Sequence, residues 1–221
     1  MMIDQNKEIG FRVLRKADVA DAAALLATEF ATHDPLAVAL QISSTEMYEM
    51  IFPLLESSLG DELSVVAYEL SRPDKILGCV LSKQLGSSSS AEWSDVVVSR
   101  FGAVFSLIDA LHDKYFQEHG QVESQKFVHE SMVATDRRAT GRGVAQGLLR
   151  ASAANGSRRG YAGAVAELTG PISQHVFIKK HGYHPVATMP YRSFKFAGVE
   201  PFSSIGSVDG CVLAVKKYWD S

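Results

Sequence analysis

The run Met132-Val-Ala-Thr-Asp-Arg-Arg-Ala-Thr-Gly-Arg-Gly-Val-Ala-Gln-Gly-Leu-Leu149 is the most informative part of the chain. A short apolar strand ends near Ala134, and a polar turn carrying Arg137 and Arg138 follows. Gly141 and Gly143 then open an amphipathic helix whose buried face is marked by Val144, Leu148, Leu149 and Ser152. The first N–H groups of a helix have no intrahelical partner, and the helix dipole adds positive potential there. Glycine lets a bulky anion reach those amides, while Arg137, Arg138 and Arg142 add formal charge. This is the construction of a pyrophosphate seat. Two other readings compete. One is a glycine-rich turn that merely caps a helix. The other is a dinucleotide fingerprint, Gly141-x-Gly143-x-x-x-Gly147, with Glu167 ending the next strand. Against the second, a polar turn from Thr135 to Thr140 separates strand from glycines, and no repeated strand-helix-strand units precede it.

Upstream, Gly10 to Leu14 reads as a strand, and Val19, Ala22, Ala23, Leu26 and Phe30 recur at helical spacing. Ser43 and Glu46 form a capping box for a second helix, in which Pro53 predicts a kink or a break. Leu63 to Glu69 and Lys75 to Lys83 read as a hairpin across Arg72-Pro73-Asp74. The serine run from Leu85 to Ala91 reads as a mobile loop tip, followed by a helix from about Val96 to Glu118 and a strand from Lys126 to Ala134. Downstream, the glycine-turn helix is expected to fray near Asn155-Gly156. Tyr161 to Glu167 is a small-residue strand, and Ile172 to Lys180 a short helix ended by His181-Gly182. Strand character returns over Gly182 to Ala187, Arg192 to Ala197 and Cys211 to Val215. Antiparallel pieces first, then alternating strands and helices, predict a mixed α/β sheet with helices on both faces.

At 221 residues, 46% hydrophobic and 21% charged, the chain has the make-up of a soluble globular protein, and residues 1–221 read as one domain. A net charge of −3 gives no global field for nucleic acid or membrane, so neither is an expected partner. Cys79 and Cys211 sit in apolar runs and read as buried thiols, not as a disulfide or metal site. The amino-terminal residues carry no apolar run and no segment approaches a membrane span, which predicts a cytoplasmic protein.

Arg138-x-x-Gly141-x-Gly143 resembles the acetyl-CoA signature of the Gcn5-related N-acetyltransferase (GNAT) superfamily. A second segment, Gly170-Pro171-Ile172-Ser173 with Phe177, Lys179 or Lys180, and Gly182-Tyr183, resembles the superfamily's other signature. The resemblance covers roughly residues 10–218. It implies a central, mixed but mostly antiparallel sheet of six to seven strands, flanked by helices on both faces. Phe30-Ala-Thr-His-Asp34-Pro35-Leu36 is similar to the Phe-x-x-x-Glu-Pro-Leu segment of insect-type arylalkylamine N-acetyltransferases. The helix after the serine loop, and a tail with Tyr191, Phe194 and Lys195, resemble that group too. It acetylates small aromatic amines such as dopamine, serotonin and tyramine.

The implied activity is transfer of acetyl from acetyl-CoA to a small primary amine by direct attack, with no metal and no acetyl-enzyme. Such transfer needs proximity, a base for the ammonium, a donor for the oxyanion and a partner for the leaving thiolate. By resemblance, Met132, Val133 and Ala134 offer backbone groups to the pantetheine arm. Arg137, Arg138, Ala139, Thr140, Gly141, Arg142 and Gly143 seat the pyrophosphate, and Gly170, Ser173, Phe177 and Lys180 flank the arm. Three residues are candidate bases. Asp34 stands where the insect-type group has glutamate, one bond shorter, and doubles as a turn residue before Pro35. His129 matches a histidine of vertebrate-type enzymes and has a side chain suited to proton transfer near neutrality. Glu130, its neighbour, points to the opposite face of the strand. Phe177 replaces the tyrosine that many members use as general acid. Ser173 is then the candidate partner for the thiolate, with Tyr183, Tyr191 and His175 behind it. Phe30, Leu36, Met47, Met50, Tyr191 and Phe194 are candidate lining for an apolar amine pocket, or core. Asp34, Glu46, Glu49 and Asp61 are too scattered for a polyamine site. A protein or peptide acetyltransferase and a silent acyl-CoA-binding module remain as alternatives, as does a monomer against a homodimer.

Overall fold

The computed structural model describes residues 8–87, 93–119 and 126–218. Seven strands form one sheet: β1 (Ile9–Val13), β2 (Val65–Glu69), β3 (Arg72–Gln84), β4 (Phe127–Thr135), β5 (Gly163–Leu168), β6 (His184–Pro190) and β7 (Gly210–Lys217). Their order is β1-β2-β3-β4-β5-β7-β6, and only β4 and β5 run parallel. The helices are α1 (Val19–His33), α2 (Pro35–Ala39), α3 (Ser44–Ser58), α4 (Asp95–His119), α5 (Val144–Arg158) and α6 (Pro171–Gln174), the last extended by a π-helical turn (His175–Lys180).

Both faces of the sheet are covered, as the strand and helix order predicts. On one side α1 presents Val19, Ala22, Ala23, Leu26 and Ala27, all buried, and packs with α3 against Val66, Cys79, Leu81 and Met132. On the other, Val144 and Leu148 of α5 meet Val65, Ala67, Leu77 and Val80. Helix α4 covers the far half of the first face, where Leu107 and Leu111 pack with Val165, Leu213 and Val215. Each buried Leu or Val removes enough apolar surface from water to contribute about 1.5–3 kcal/mol.

One irregularity organises the molecule. Strands β4 and β5 pair at only three positions, Phe127 with Gly163, Val128 with Ala164 and His129 with Val165. Beyond them the strands part. β5 continues against β7 to Leu168, and β4 continues against β3 to Thr135. Leu81 pairs with Met132 and Ser82 with Glu130, so Ser131 is a bulge at the point of divergence. The β4 edge from residue 130 onward therefore faces a notch instead of a strand.

Several expectations need correction. Of the two outcomes expected at Pro53 the break is absent, and helix α3 runs on from the expected box: Ser43 Oγ accepts the Glu46 N–H at 3.2 Å, and Glu46 accepts the Ser43 N–H at 2.8 Å. Strand β3 starts at Arg72, so the hairpin turns at Leu70-Ser71 and Arg72-Pro73-Asp74 is strand. Helix α5 does not fray at Asn155, whose amide donates to the Glu62 carbonyl at 2.8 Å; Gly156 beside it lies under Tyr218. Arg192 to Ala197 forms no strand, only an isolated bridge from Phe196 to Val199. Residues 88–91 of the serine run lie outside the described residues. No helix among the described residues is long and apolar enough to cross a membrane.

Candidate active site

The notch between β4 and β5 leads into the glycine turn. Asp136 accepts the Arg138 N–H at 2.8 Å and also holds its guanidinium at 2.6 Å, so this exposed arginine folds back on the turn. Arg137 and Thr140 are exposed and Ala139 is buried beneath them. Gly141 and Gly143 have left-handed φ values of 79° and 73°, which any side chain would strain, and both open onto free space. No side chain caps α5. Its first N–H groups therefore point outward beside Arg142, which has one carboxylate, Glu8, at 3.7 Å. Uncapped amides, open glycines and an unpaired strand edge form one continuous strip that suits a phosphate-bearing arm.

On the other bank, Gly170 opens α6 in close approach to Pro35. Ser173 Oγ donates to the Gly170 carbonyl at 3.0 Å and accepts its N–H at 3.2 Å. Phe177 is buried edge-to-face against Tyr183, ring centres 4.9 Å apart, and Lys180 is exposed.

A cavity of about 450 Å³ lies where α1, α2, α3 and α4 meet the notch. Asp34, His129, Glu130, Met132, Val133, Ser173 and Phe177 all reach its wall, so sites 139 residues apart in the chain converge, Asp34 to Ser173. Phe30, Leu36, Met47 and Met50 line it as the pattern allows. Tyr191 and Phe194 do not; they pack with Phe202 in the core, and the Tyr191 hydroxyl donates to the Thr169 carbonyl at 2.6 Å. In their place α4 and the segment leading into it supply Trp93, Phe101 and Phe105, with Trp93 stacked on Phe105 at 5.0 Å.

The three carboxyl and imidazole candidates sit in different environments. Asp34 caps α2: Oδ1 accepts the Leu36 and Ala37 N–H groups, each at 3.0 Å, and Oδ2 accepts the Thr169 hydroxyl. Burial raises its pKa, and those hydrogen bonds oppose the rise. Glu130 is buried on the opposite face, as its position next to His129 requires. Ser152 and Tyr183 each donate to it at 2.6 Å. Burial raises its pKa too, and Tyr183 is driven well above the ordinary phenol by burial and by Glu130. Tyr183 is thus committed to Glu130.

His129 faces the cavity and is held by a residue weighed above only as a dinucleotide acid. Glu167 Oε2 lies 2.7 Å from His129 Nε2, and Glu167 Oε1 lies 2.5 Å from His112 Nε2 on α4. The imidazoles meet edge to face at 5.2 Å. Burial pushes the Glu167 carboxyl up, but the two neighbouring imidazoles and their hydrogen bonds outweigh it and hold the group far below the usual carboxylate range. Burial likewise pushes His112 down, and is outweighed by the hydrogen bond and charge of Glu167, with Asp109 and Asp113 adding to it. A signal for Glu167 existed: it is the only charge in the strand Gly-Ala-Val-Ala-Glu-Leu, two residues beyond the partner of His129. No local signal marked His112.

No protein-family model matches the sequence. Solved structures do. The arylalkylamine N-acetyltransferase 2 of Aedes aegypti superposes with a TM-score of 0.73 at 18% identity, over 95% of this chain and 99% of that one. The fold is that of the GNAT acetyltransferases. The C-terminal condensation domain of Ebony, solved with β-alanyl-dopamine, shares this GNAT fold with a TM-score of 0.83 at 14% identity, over 95% of this chain and 99% of the domain. The polyamine N-acetyltransferase of Drosophila melanogaster, which forms N-acetylagmatine, shares it with a TM-score of 0.66 at 15% identity, over 95% and 100%. In this chain the split between β4 and β5 has the glycine turn at its mouth.

Proposed function

We propose that this chain is an acetyl-CoA-dependent N-acetyltransferase for a small, apolar primary amine, with His129 as the base. The observation that carries the reading is the notch itself, with a phosphate-suited strip at one end and a largely apolar cavity at the other. Bound there, acetyl-CoA supplies an activated acyl thioester. Gly141, Gly143, Arg142 and the start of α5 hold its phosphates, and the free edge of Met132, Val133 and Ala134 receives its arm and carbonyl oxygen. His129 takes the proton from the ammonium, since Asp34 is occupied as a cap and the Glu130 carboxylate is held by Ser152 and Tyr183. Ser173 borders the leaving sulfur.

The acceptor is an amine with an aromatic or aliphatic body, not a polyamine. Three carboxylates line the cavity besides Glu130, and two are already balanced: Asp34 by N–H and hydroxyl donors, Glu167 by two imidazoles. Asp109 alone is left, at the exposed rim. A second ammonium would find no partner inside, whereas Phe30, Trp93, Phe101 and Phe105 offer aromatic surface. Thiol release from acetyl-CoA, measured with phenethylamines, agmatine and spermidine, aminoglycosides, amino acids and a lysine peptide, tests this. Phenethylamines are expected to lead, and a lead by agmatine or the peptide would overturn the acceptor assignment.

A further inference from the structure

The His112–Glu167–His129 cluster is more than an anchor for one base. It has a single carboxylate between two imidazoles, one oxygen to each, at 2.5 and 2.7 Å. These are hydrogen-bond lengths. Zinc bonds of about 2.0–2.1 Å in tetrahedral array set ligand atoms ~3.3 Å apart, so the two contacts do not have the spacing of metal ligands. Each imidazole gives its Nε2–H to the carboxylate, which leaves Nδ1 as the other titrating nitrogen on both rings. One buried carboxylate needs one counter-charge, and two rings compete to supply it. The surroundings are not symmetrical. Asp109 and Asp113 flank His112 on α4, whereas His129 borders the apolar cavity. Around the cluster, Glu130 lies beyond His129 on β4, the Cys211 thiol faces Glu167 from β7 and is kept neutral by burial, and Asp34 borders the same cavity. The two α4 carboxylates, Asp109 and Asp113, therefore favour a charge on His112.

We propose that His112 is the fixed cation of this cluster: it balances Glu167, so that His129 stays an unprotonated base, held by its Nε2–H with Nδ1 free for the amine. His112 and Glu167 are positioning residues acting through His129. The ammonium proton passes to His129 Nδ1 and leaves to solvent after transfer, while the protons on Nε2 and on His112 stay where they are. If His112 carried no charge, Glu167 would draw a proton onto His129 and remove the lone pair the reaction needs.

This inference rests on His129 being the base, and its test separates the two ideas. Nitrogen-15 imidazole spectra of the whole protein near neutral pH read protonation without turnover. His112 is expected to be doubly protonated and His129 to carry a proton on Nε2 only. In H112Q, which keeps an N–H donor for Glu167 but no charge, His129 is expected to become doubly protonated. H112K restores a cation and is expected to return His129 to the single-proton form. In kinetics with one amine throughout, the acid limb of the kcat–pH profile should move up by about one unit in H112Q. It should move down in E167Q, with a lower plateau. Opposite displacements are not what loss of packing gives. A neutral His112 in the unaltered protein, or an unmoved His129 spectrum in H112Q, overturns the proposal, as does zinc-dependent perturbation of all three side chains. Should the spectra behave as expected while H129Q keeps full turnover, the charge assignment stands and the base assignment falls.

Discussion

The two ends of the notch are built from different materials. The donor end is backbone: a free strand edge, two left-handed glycines and an uncapped helix start, all within Met132 to Val144. The acceptor end is side chain, assembled from α1, α2, α3, α4, β4 and β5. The difference teaches where substitutions bite. Backbone sites tolerate changes in side-chain identity and fail on changes in φ, whereas the acceptor end responds to each group it loses.

The largest effect is expected at the acceptor end. His129→Gln should lower kcat by about 10²–10⁴-fold while equilibrium binding of acetyl-CoA is unchanged. A parallel loss of binding would erase the division between the two ends. Next comes Phe105→Ala, which removes an aromatic wall worth about 1.5–3 kcal/mol of burial. The KM for a phenethylamine should rise roughly 10–100-fold, and the KM for acetyl-CoA should stay put. Gly143→Ala is the mirror experiment. Forcing a side chain into the left-handed region costs about 1–2 kcal/mol, so acetyl-CoA binding should weaken about tenfold with amine selectivity preserved. A shift in the amine profile would show that the turn reaches the acceptor pocket.

The smallest effect separates Glu130 from its neighbour. Burial lifts its folded-state pKa above the ordinary 4.5, so the native protein keeps a proton that the unfolded chain has released. Stability is therefore lost as pH rises from about 4.5 toward the raised value, by about 1.4 kcal/mol per unit of displacement. Glu130→Gln lacks that loss. Denaturant unfolding at pH 5 and pH 8 should show the variant gaining on the parent protein across the interval. Parallel curves would mean that Glu130 ionises as freely in the folded state as outside it.

The same contrast governs how much the sequence discloses. Arg138, Gly141 and Gly143 are legible because their chemistry is local: the residues that make the turn are the residues that line it. The Ser43–Glu46 box is legible for the same reason. Where partners are distant, patterns mislead. Arg192 to Ala197 alternates like a strand, but Phe194 stacks on Phe202 at 5.7 Å and has no neighbouring strand to join. Asn155-Gly156 has the composition of a helix end, yet the Glu62 carbonyl, 93 positions earlier, satisfies the asparagine. Glu167 stands 38 positions from His129 and 55 from His112, and only folding brings the three together. Asp34 and His129 were both readable as bases; what set them apart, the Thr169 hydroxyl and the α2 amides on one and Glu167 on the other, was not.

The short seam between β4 and β5 has a mechanical consequence. Three paired positions join two half-sheets, one carrying α1 and α3, the other carrying most of the α4 contacts. Across the open end the halves also meet through Asp34 on Thr169 and Pro35 against Gly170. An arm laid along the notch would act as a missing strand and rivet the halves together. At a hundred times its dissociation constant such a ligand adds about 2.7 kcal/mol to the folded state, so the cosubstrate would serve as a strut as well as a reagent.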